Sequence, residues 1–167
     1  MNKRNIILIG MPGAGKSSVG VILAKVLGYE FIDTDLVIQH REKRLLREII
    51  ADEGNEGFLA IENEVNATLE ADKSVIAPGG SAIYGKEAME HFKEIGTIVY
   101  LKLSYEDLAK RLGNLKGRGV VLKEGQTLKD LFDERSILYE QYAEITVDES
   151  GRDIQGTILA LREQIGM

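Results

Sequence analysis

The sequence predicts an α/β protein, a five-stranded parallel sheet wrapped on both faces by helices in three layers. Three observations predict it. Short apolar runs recur at Asn5–Ile9, Glu30–Asp33, Ser74–Ala77, Thr97–Leu101 and Ile145–Val147. Longer stretches with apolar residues at helical spacing separate them, an alternation that belongs to strand–helix–strand units. The first run, Ile6-Ile7-Leu8-Ile9, also ends directly in a glycine-rich loop that opens a helix.

Taken in order, Asn5–Ile9 has the continuous branched-aliphatic character of a strand buried on both faces. The helix after it, Lys16–Leu27, carries Val19, Ile22, Leu23, Val26 and Leu27 along one side. Further helices are predicted over Leu36–Leu46, Asn55–Ala71, Lys86–Glu94, Tyr105–Leu112, Leu128–Tyr142 and Ile154–Gln164. The last shows Ile154, Ile158, Leu161 and Ile165 at core-packing spacing. Between two of them, Gly113-Asn114-Leu115-Lys116-Gly117-Arg118-Gly119 has little apolar content to hold it down and reads as a mobile lid, about 113–126. No repeat, low-complexity segment or linker interrupts the chain, so residues 1–167 are expected to form one domain.

Composition excludes several functions. The 44% hydrophobic and 29% charged residues are ordinary for a globular protein, and no apolar run nears the length of a membrane span. A net charge of −6 argues against a nucleic-acid partner. The absence of cysteine removes disulfides and thiolate chemistry, and suits the cytoplasm. His40 and His91 lie in charged helical runs and read as solvated groups. No exposed apolar stripe stands out, so a monomer is expected.

In a parallel sheet, ligands sit at the carboxyl ends of the strands. The first such position is Gly10-Met11-Pro12-Gly13-Ala14-Gly15-Lys16-Ser17, which fits the phosphate-loop pattern G-x-x-x-x-G-K-[ST] at every fixed place. Its glycines let successive N–H groups turn inward, with the helix N-terminus adding positive charge. Lys16 would reach the β- and γ-phosphates, and Ser17 would ligate Mg²⁺. The second strand ends in Asp33-Thr34-Asp35. One carboxylate can face Mg²⁺ and the other a substrate hydroxyl, or Thr34 or Asp35 simply caps a helix beginning at Leu36. The third ends in Pro78-Gly79-Gly80-Ser81, either a close approach of backbone to a ligand or a tight turn. Arg118 can close on the γ-phosphate or remain a solvated lid charge, and Arg135 can bind a ligand or pair with Asp133 or Glu134. The run from Glu42 to Glu48 reads as a solvated helix face.

Together these motifs resemble the shikimate kinases, small relatives of the nucleoside monophosphate kinases, nearly from end to end. That family carries Phe-x-Asp-x-Asp (here Phe31 to Asp35), Phe-Arg-x-x-Glu (here Phe58-Leu59-Ala60-Ile61-Glu62), a glycine triplet (Gly79-Gly80-Ser81), a lid arginine (Arg118) and Arg-x-Pro-Leu-Tyr (Arg135-Ser136-Ile137-Leu138-Tyr139). The resemblance implies a P-loop kinase with substrate-binding helices over about 35–71. It would transfer the ATP γ-phosphate to shikimate, in aromatic amino acid biosynthesis. It implies Lys16, Asp35 and Arg118 as catalytic, with Asp35 positioning the attacking hydroxyl. ATP would meet Gly13, Ala14, Gly15, Lys16, Ser17, Ser18, Arg111, Arg118 and Arg152. The substrate would meet Asp35, Leu59, Gly79, Gly80, Ser81 and Arg135, the last through its carboxylate. Mg²⁺ would sit on Ser17 and, through water, on Asp33.

The departures fall on the substrate half. Leu59 stands where the family has a second carboxylate-binding arginine, and loss of such a contact costs about 1.5–3 kcal/mol, a ten- to hundredfold fall in affinity. Ser81 adds a hydroxyl in place of the third glycine, Gly119 replaces the proline after the lid arginine, and Ile137 replaces a helical proline. Either Arg44 or Arg47 takes over the clamp, or the acceptor is another small hydroxy acid or polyol. A GTPase-like switch is disfavoured because no Asn-Lys-x-Asp motif is present. A catalytically weak binding module is disfavoured by the joint presence of Lys16, Asp33, Asp35 and Arg118.

Overall fold

The computed structural model describes residues 3–112 and 124–167. Its strands are β1 (Asn5–Ile9), β2 (Glu30–Asp33), β3 (Ser74–Ala77), β4 (Gly96–Lys102) and β5 (Ile145–Asp148). They form one five-stranded sheet in the order β2-β3-β1-β4-β5, every neighbouring pair parallel. The three central strands are the most apolar, because only a strand covered on both faces and both edges can be apolar throughout. The edge strands expose Glu30 on one side and Thr146 and Asp148 on the other.

Side-chain alternation along the strands builds two cores. Ile7 and Ile9 of β1 join Ile76, Ile98 and Tyr100 beneath α4 (Lys86–Ile95), α5 (Tyr105–Leu112) and α6 (Leu128–Tyr142). Ile6 and Leu8 join Val75, Val99 and Val147 beneath α1 (Lys16–Leu27) and α7 (Ile154–Ile165). A satellite core of Ile38, Ile49, Phe58 and Val65 holds α2 (Thr34–Glu42) against α3 (Leu46–Ala67). Each such side chain contributes about 1.5–3 kcal/mol on burial. The α2–α3 pair therefore has a small core of its own beside the sheet's carboxyl edge.

The expected helix boundaries differ most in this pair. α2 starts at Thr34 rather than Leu36, since Asp33 caps it and its Oδ1 accepts from the Asp35 N–H at 2.9 Å. Asp35 thus lies on a helix rather than along a strand. α2 stops at Glu42 because Lys43 turns left-handed (φ 57°), and Gln39 Oε1 caps the next helix by accepting from Leu46 N–H at 3.0 Å. The run from Glu42 to Glu48 is therefore interrupted at Lys43–Leu45, between two helices, and is not one helical face. α3 begins well before Asn55 and is kinked at Gly54 (φ 74°). It ends before Ala71, where the Thr68 hydroxyl donates to Glu64 O at 2.8 Å. A 3₁₀ turn at Ala82–Tyr84 follows the glycine loop, where the sequence pattern predicts no helix. On α1, Ile22 and Val26 face outward, with Val21 beside them, so the core side is Val19, Gly20, Leu23 and Ala24. His91 is half-buried, its Nε2 2.6 Å from the Leu69 carbonyl, rather than solvated.

No helix among the described residues is long and apolar enough to cross a membrane. Most of the expected lid, with Arg118, lies outside the described residues.

Candidate active site

Because all five strands run the same way, the loops after β1, β2 and β3 open at one edge. There they line a single cavity of about 470 Å³. In the first loop, Gly13 (φ 87°) and Gly15 (φ 83°) adopt backbone that side chains disfavour. A Cβ on Gly13 would also meet Leu112 Cδ2 at 2.9 Å. This curl brings Gly15 to the N-cap of α1 and directs Lys16 back over the loop. There its Nζ donates to the carbonyls of Gly10 (2.7 Å) and Met11 (3.0 Å). Burial lowers the Lys16 ammonium to about 8, partly opposed by the Asp35 charge. Lys16 thus remains mostly cationic at neutral pH.

Gly13, Gly15, Lys16, Ser17 and Ser18 all line the cavity, whereas Ala14 is buried beneath it. Arg111 lines it too, donating from Nη1 to Gly13 O at 3.3 Å. Arg152 is exposed and does not line it. Asp33 and Asp35 enter from the second loop. Burial, and then the Asp33 charge, push Asp35 up to about 6, against the pull of Lys16. Asp35 is therefore largely ionised at neutral pH yet close to its titration, the condition for a group that accepts a hydroxyl proton.

The third loop presents Gly79, Gly80 and Ser81. Its glycines are required by close neighbours: a Cβ on Gly80 would meet Pro12 Cδ at 2.8 Å and Arg135 Nη1 at 2.9 Å. The Tyr139 hydroxyl donates to Gly80 O at 2.7 Å and ties this loop to α6. One turn earlier on α6, Arg135 is only 2% exposed and lies over the Tyr84 ring at 5.6 Å. Neither sequence neighbour pairs with it: Asp133 binds Lys129 at 2.6 Å, and Glu134 accepts from Tyr84 at 2.7 Å. A buried guanidinium that faces a cavity without an ion-pair partner among the described residues is suited to an anionic ligand group.

Leu59 lies on α3 in an adjoining cavity with Tyr84, Leu131 and Arg135, and brings no charge there. Neither arginine offered as its replacement lines either cavity. Arg44 is held by Glu42, Asp52 and Glu53 at 3.1, 3.1 and 3.4 Å, and Arg47 is exposed.

The sequence assigns no role to two buried acids beside this cavity. Glu62 is 1% exposed and lines the cavity, accepting from the Ser81 hydroxyl at 2.7 Å, and burial pushes it up to about 7. Its signal was its place one turn after Phe58 on the same helix face. Glu149, just after β5, is buried and raised to about 7, with Arg111 and Lys16 opposing that rise. Its signal was its position at a strand's carboxyl end.

Ser17 and Asp33 flank Lys16 in the cavity, a hydroxyl and a carboxylate of the hard-oxygen type that suits Mg²⁺. Among the described residues no group of three His, Cys, Asp or Glu forms a metal cage. Mg²⁺ needs none where waters and substrate phosphates supply most of its ligands.

Comparison with known proteins places the chain in a family. The shikimate kinase family model matches residues 12–165. The chain belongs to the shikimate kinase family. It is 33% identical to shikimate kinase 2 of Yersinia pseudotuberculosis over 154 residues, covering 87% of this chain and 86% of that one. The shikimate kinase of Acinetobacter baumannii, solved in complex with shikimate, superposes with a TM-score of 0.79 at 34% identity, covering 98% and 91% of the two chains. That of Aquifex aeolicus superposes at 0.78 with 28% identity, covering 97% and 96%. The protein is thus an ATP-dependent small-molecule kinase with the P-loop α/β fold of that family.

Proposed function

We propose that this kinase transfers the γ-phosphate of ATP to a hydroxyl of shikimate, giving shikimate 3-phosphate. The observation that carries the reading is the convergence of Lys16, Asp35 and Arg135 in one cavity at the strand ends. Phosphoryl transfer asks a protein for positioning and charge neutralisation rather than covalent chemistry. The phosphate loop and Lys16 hold the triphosphate, with Arg111 and Arg152 toward the base. Ser17 and Asp33 hold Mg²⁺, which when bound neutralises phosphate charge. Asp35 orients the acceptor hydroxyl and takes its proton as the hydroxyl oxygen bonds to the γ-phosphorus and the bond from that phosphorus to the bridging oxygen breaks, releasing ADP. Gly79 and Gly80 face the acceptor ring with backbone, and Arg135 grips its carboxylate. Helices across about 35–71 form the acceptor-binding segment of a single domain, and Arg118 supplies a further cation to the transferring phosphate. The enzyme is taken to work as a monomer in the cytoplasm.

The test is incubation with ATP, Mg²⁺ and shikimate, with the product identified by phosphorus NMR. A phosphomonoester on the ring supports the reading, and ADP released without one refutes it. One observation favours a second reading. Leu59 leaves a single arginine for the acceptor, and Arg44 is committed to its own carboxylates. A kinase of the same family acting on another small hydroxy acid or polyol would need no second clamp.

A further inference from the structure

We infer that Glu149 is a positioning residue for Arg111: its carboxylate holds the guanidinium flat against the planar base of the bound nucleotide. The inference rests on the proposed placement of the triphosphate on the phosphate loop with its base toward Arg111, and it names what fixes that arginine. Its starting point is an unpaired atom that phosphoryl transfer itself does not use. Glu149 is 4% exposed, and its Oε2 is buried with no hydrogen-bond partner. A carboxylate oxygen in that condition bears its desolvation cost until a donor arrives.

The backbone of Glu149 is fixed on both sides. Its N–H donates to Lys102 O at 2.9 Å, at the end of β4, and its carbonyl accepts from Arg152 N–H at 3.0 Å. Val147 is buried, Asp148 exposed and Glu149 buried again, so the alternation of β5 continues one residue past the strand and turns the carboxylate inward. There it stands beside the phosphate loop. The point where a side chain on Gly15 would begin lies 3.9 Å from Glu149 Oε1 and 3.8 Å from Arg111 Nη1. Glycine at that place puts no side chain of its own between the acid and the arginine.

Charge selects the partner. Burial works against the Glu149 charge, Arg111 and then Lys16 favour it, and Asp148 on the same strand end opposes it. Lys16 is committed to the carbonyls of Gly10 and Met11, and in the reaction to phosphate. Arg111 is not. It is exposed, has no ion pair among the described residues, and spends Nη1 on Gly13 O at 3.3 Å, which leaves the rest of its donor fork for Glu149. While water covers the guanidinium, such a pair is weak. A base laid on its face excludes that water, strengthens the pair and gains a flat cation to stack on. The pair is therefore coupled to the base, and not to the phosphates, which Lys16 and the loop N–H groups hold.

The experiment is titration calorimetry with MgADP and with magnesium tripolyphosphate, which carries phosphates and no base. The proteins are the wild type, Glu149→Gln, Glu149→Asp, Arg111→Ala and the double variant of Glu149→Gln with Arg111→Ala, with thermal melts as a check on folding. Glu149→Gln is expected to weaken ADP binding about tenfold and to leave tripolyphosphate binding nearly unchanged. Glu149→Asp keeps the charge on a shorter arm, so it should lose only part of the ADP affinity, and it carries the test if Glu149→Gln does not fold. Arg111→Ala should weaken ADP at least as much as Glu149→Gln, and the double variant should lose no more than Arg111→Ala alone. In steady-state kinetics the KM for ATP should rise while the acceptor KM holds. Equal losses on ADP and tripolyphosphate would make Glu149 a prop of the phosphate loop and overturn the inference, as would additive losses in the double variant. If Arg111→Ala leaves ADP affinity unchanged, the placement of the base fails and the inference with it. If Arg111→Ala weakens ADP while Glu149→Gln does not, only the positioning role fails.

Discussion

Arg135→Met separates a binding role from a structural one, because the two predict opposite effects on stability. The guanidinium is 2% exposed, lies over Tyr84, and has no ion-pair partner among the described residues. A charge-assisted hydrogen bond to an acceptor carboxylate is worth about 1.5–3 kcal/mol, which at about 1.4 kcal/mol per decade gives a ten- to hundredfold rise in acceptor KM. The same substitution removes a buried charge that the described residues meet with Tyr84 and Tyr139 and with no ion pair. Methionine of similar length fills the volume, so stability should hold or rise. The cation–π contact with Tyr84 limits the gain to about 1 kcal/mol, or 2–4 °C for a chain of this size. Steady-state kinetics with varied acceptor and a thermal melt of the ligand-free protein test this together. A melting temperature lowered by several degrees with acceptor KM unchanged would show that Arg135 holds the fold, and would refute the argument.

Three further outcomes follow from the site. Asp35→Asn should lower kcat by about 10²–10⁴ with ATP affinity retained, and in wild type kcat/KM for the acceptor should fall as pH drops through about 6, where Asp35 takes up its proton. Burial raises Asp35 from 3.8 to about 6, and Glu62 and Glu149 from 4.5 to about 7. The folded protein therefore holds protons that the unfolded chain has lost between about pH 4 and 7, and melting temperature should decline across that window as pH rises. Glu62→Gln should flatten part of the decline, and a flat wild-type profile would contradict the assigned burial. Tyr139→Phe deletes the bond to Gly80 O and should cost about 0.5–1.5 kcal/mol by denaturant titration. It should also weaken acceptor binding by freeing the glycine loop.

The sheet was legible because it depends on local signals. β1, β2 and β3 follow the apolar runs to the residue, and α1, α5 and α6 follow their periodicity and flanking glycine or threonine. The α2–α3 pair was less legible because its boundaries are set by long-range or unfavoured chemistry. A lysine takes the left-handed turn after α2, and a glutamine seven residues earlier in the chain caps α3. The phosphate loop and the Asp33–Asp35 pair could be read because each is a short motif. The Glu62–Ser81 bond could not, since it joins residues nineteen apart through a helix and a strand. Nor does spacing alone reveal that Arg135 is buried, because its neighbours on α6 are charged.

The central claim is that this cavity phosphorylates shikimate despite Leu59. It is tested most directly by a coupled ADP-release assay with shikimate on wild type and Leu59→Arg. The account predicts wild-type turnover with a KM in the micromolar-to-millimolar range, and little gain from the added arginine, whose charge would sit beside Arg135. An inert wild type that binds ATP, with activity appearing only in Leu59→Arg, would contradict it and assign the pocket to a different acceptor.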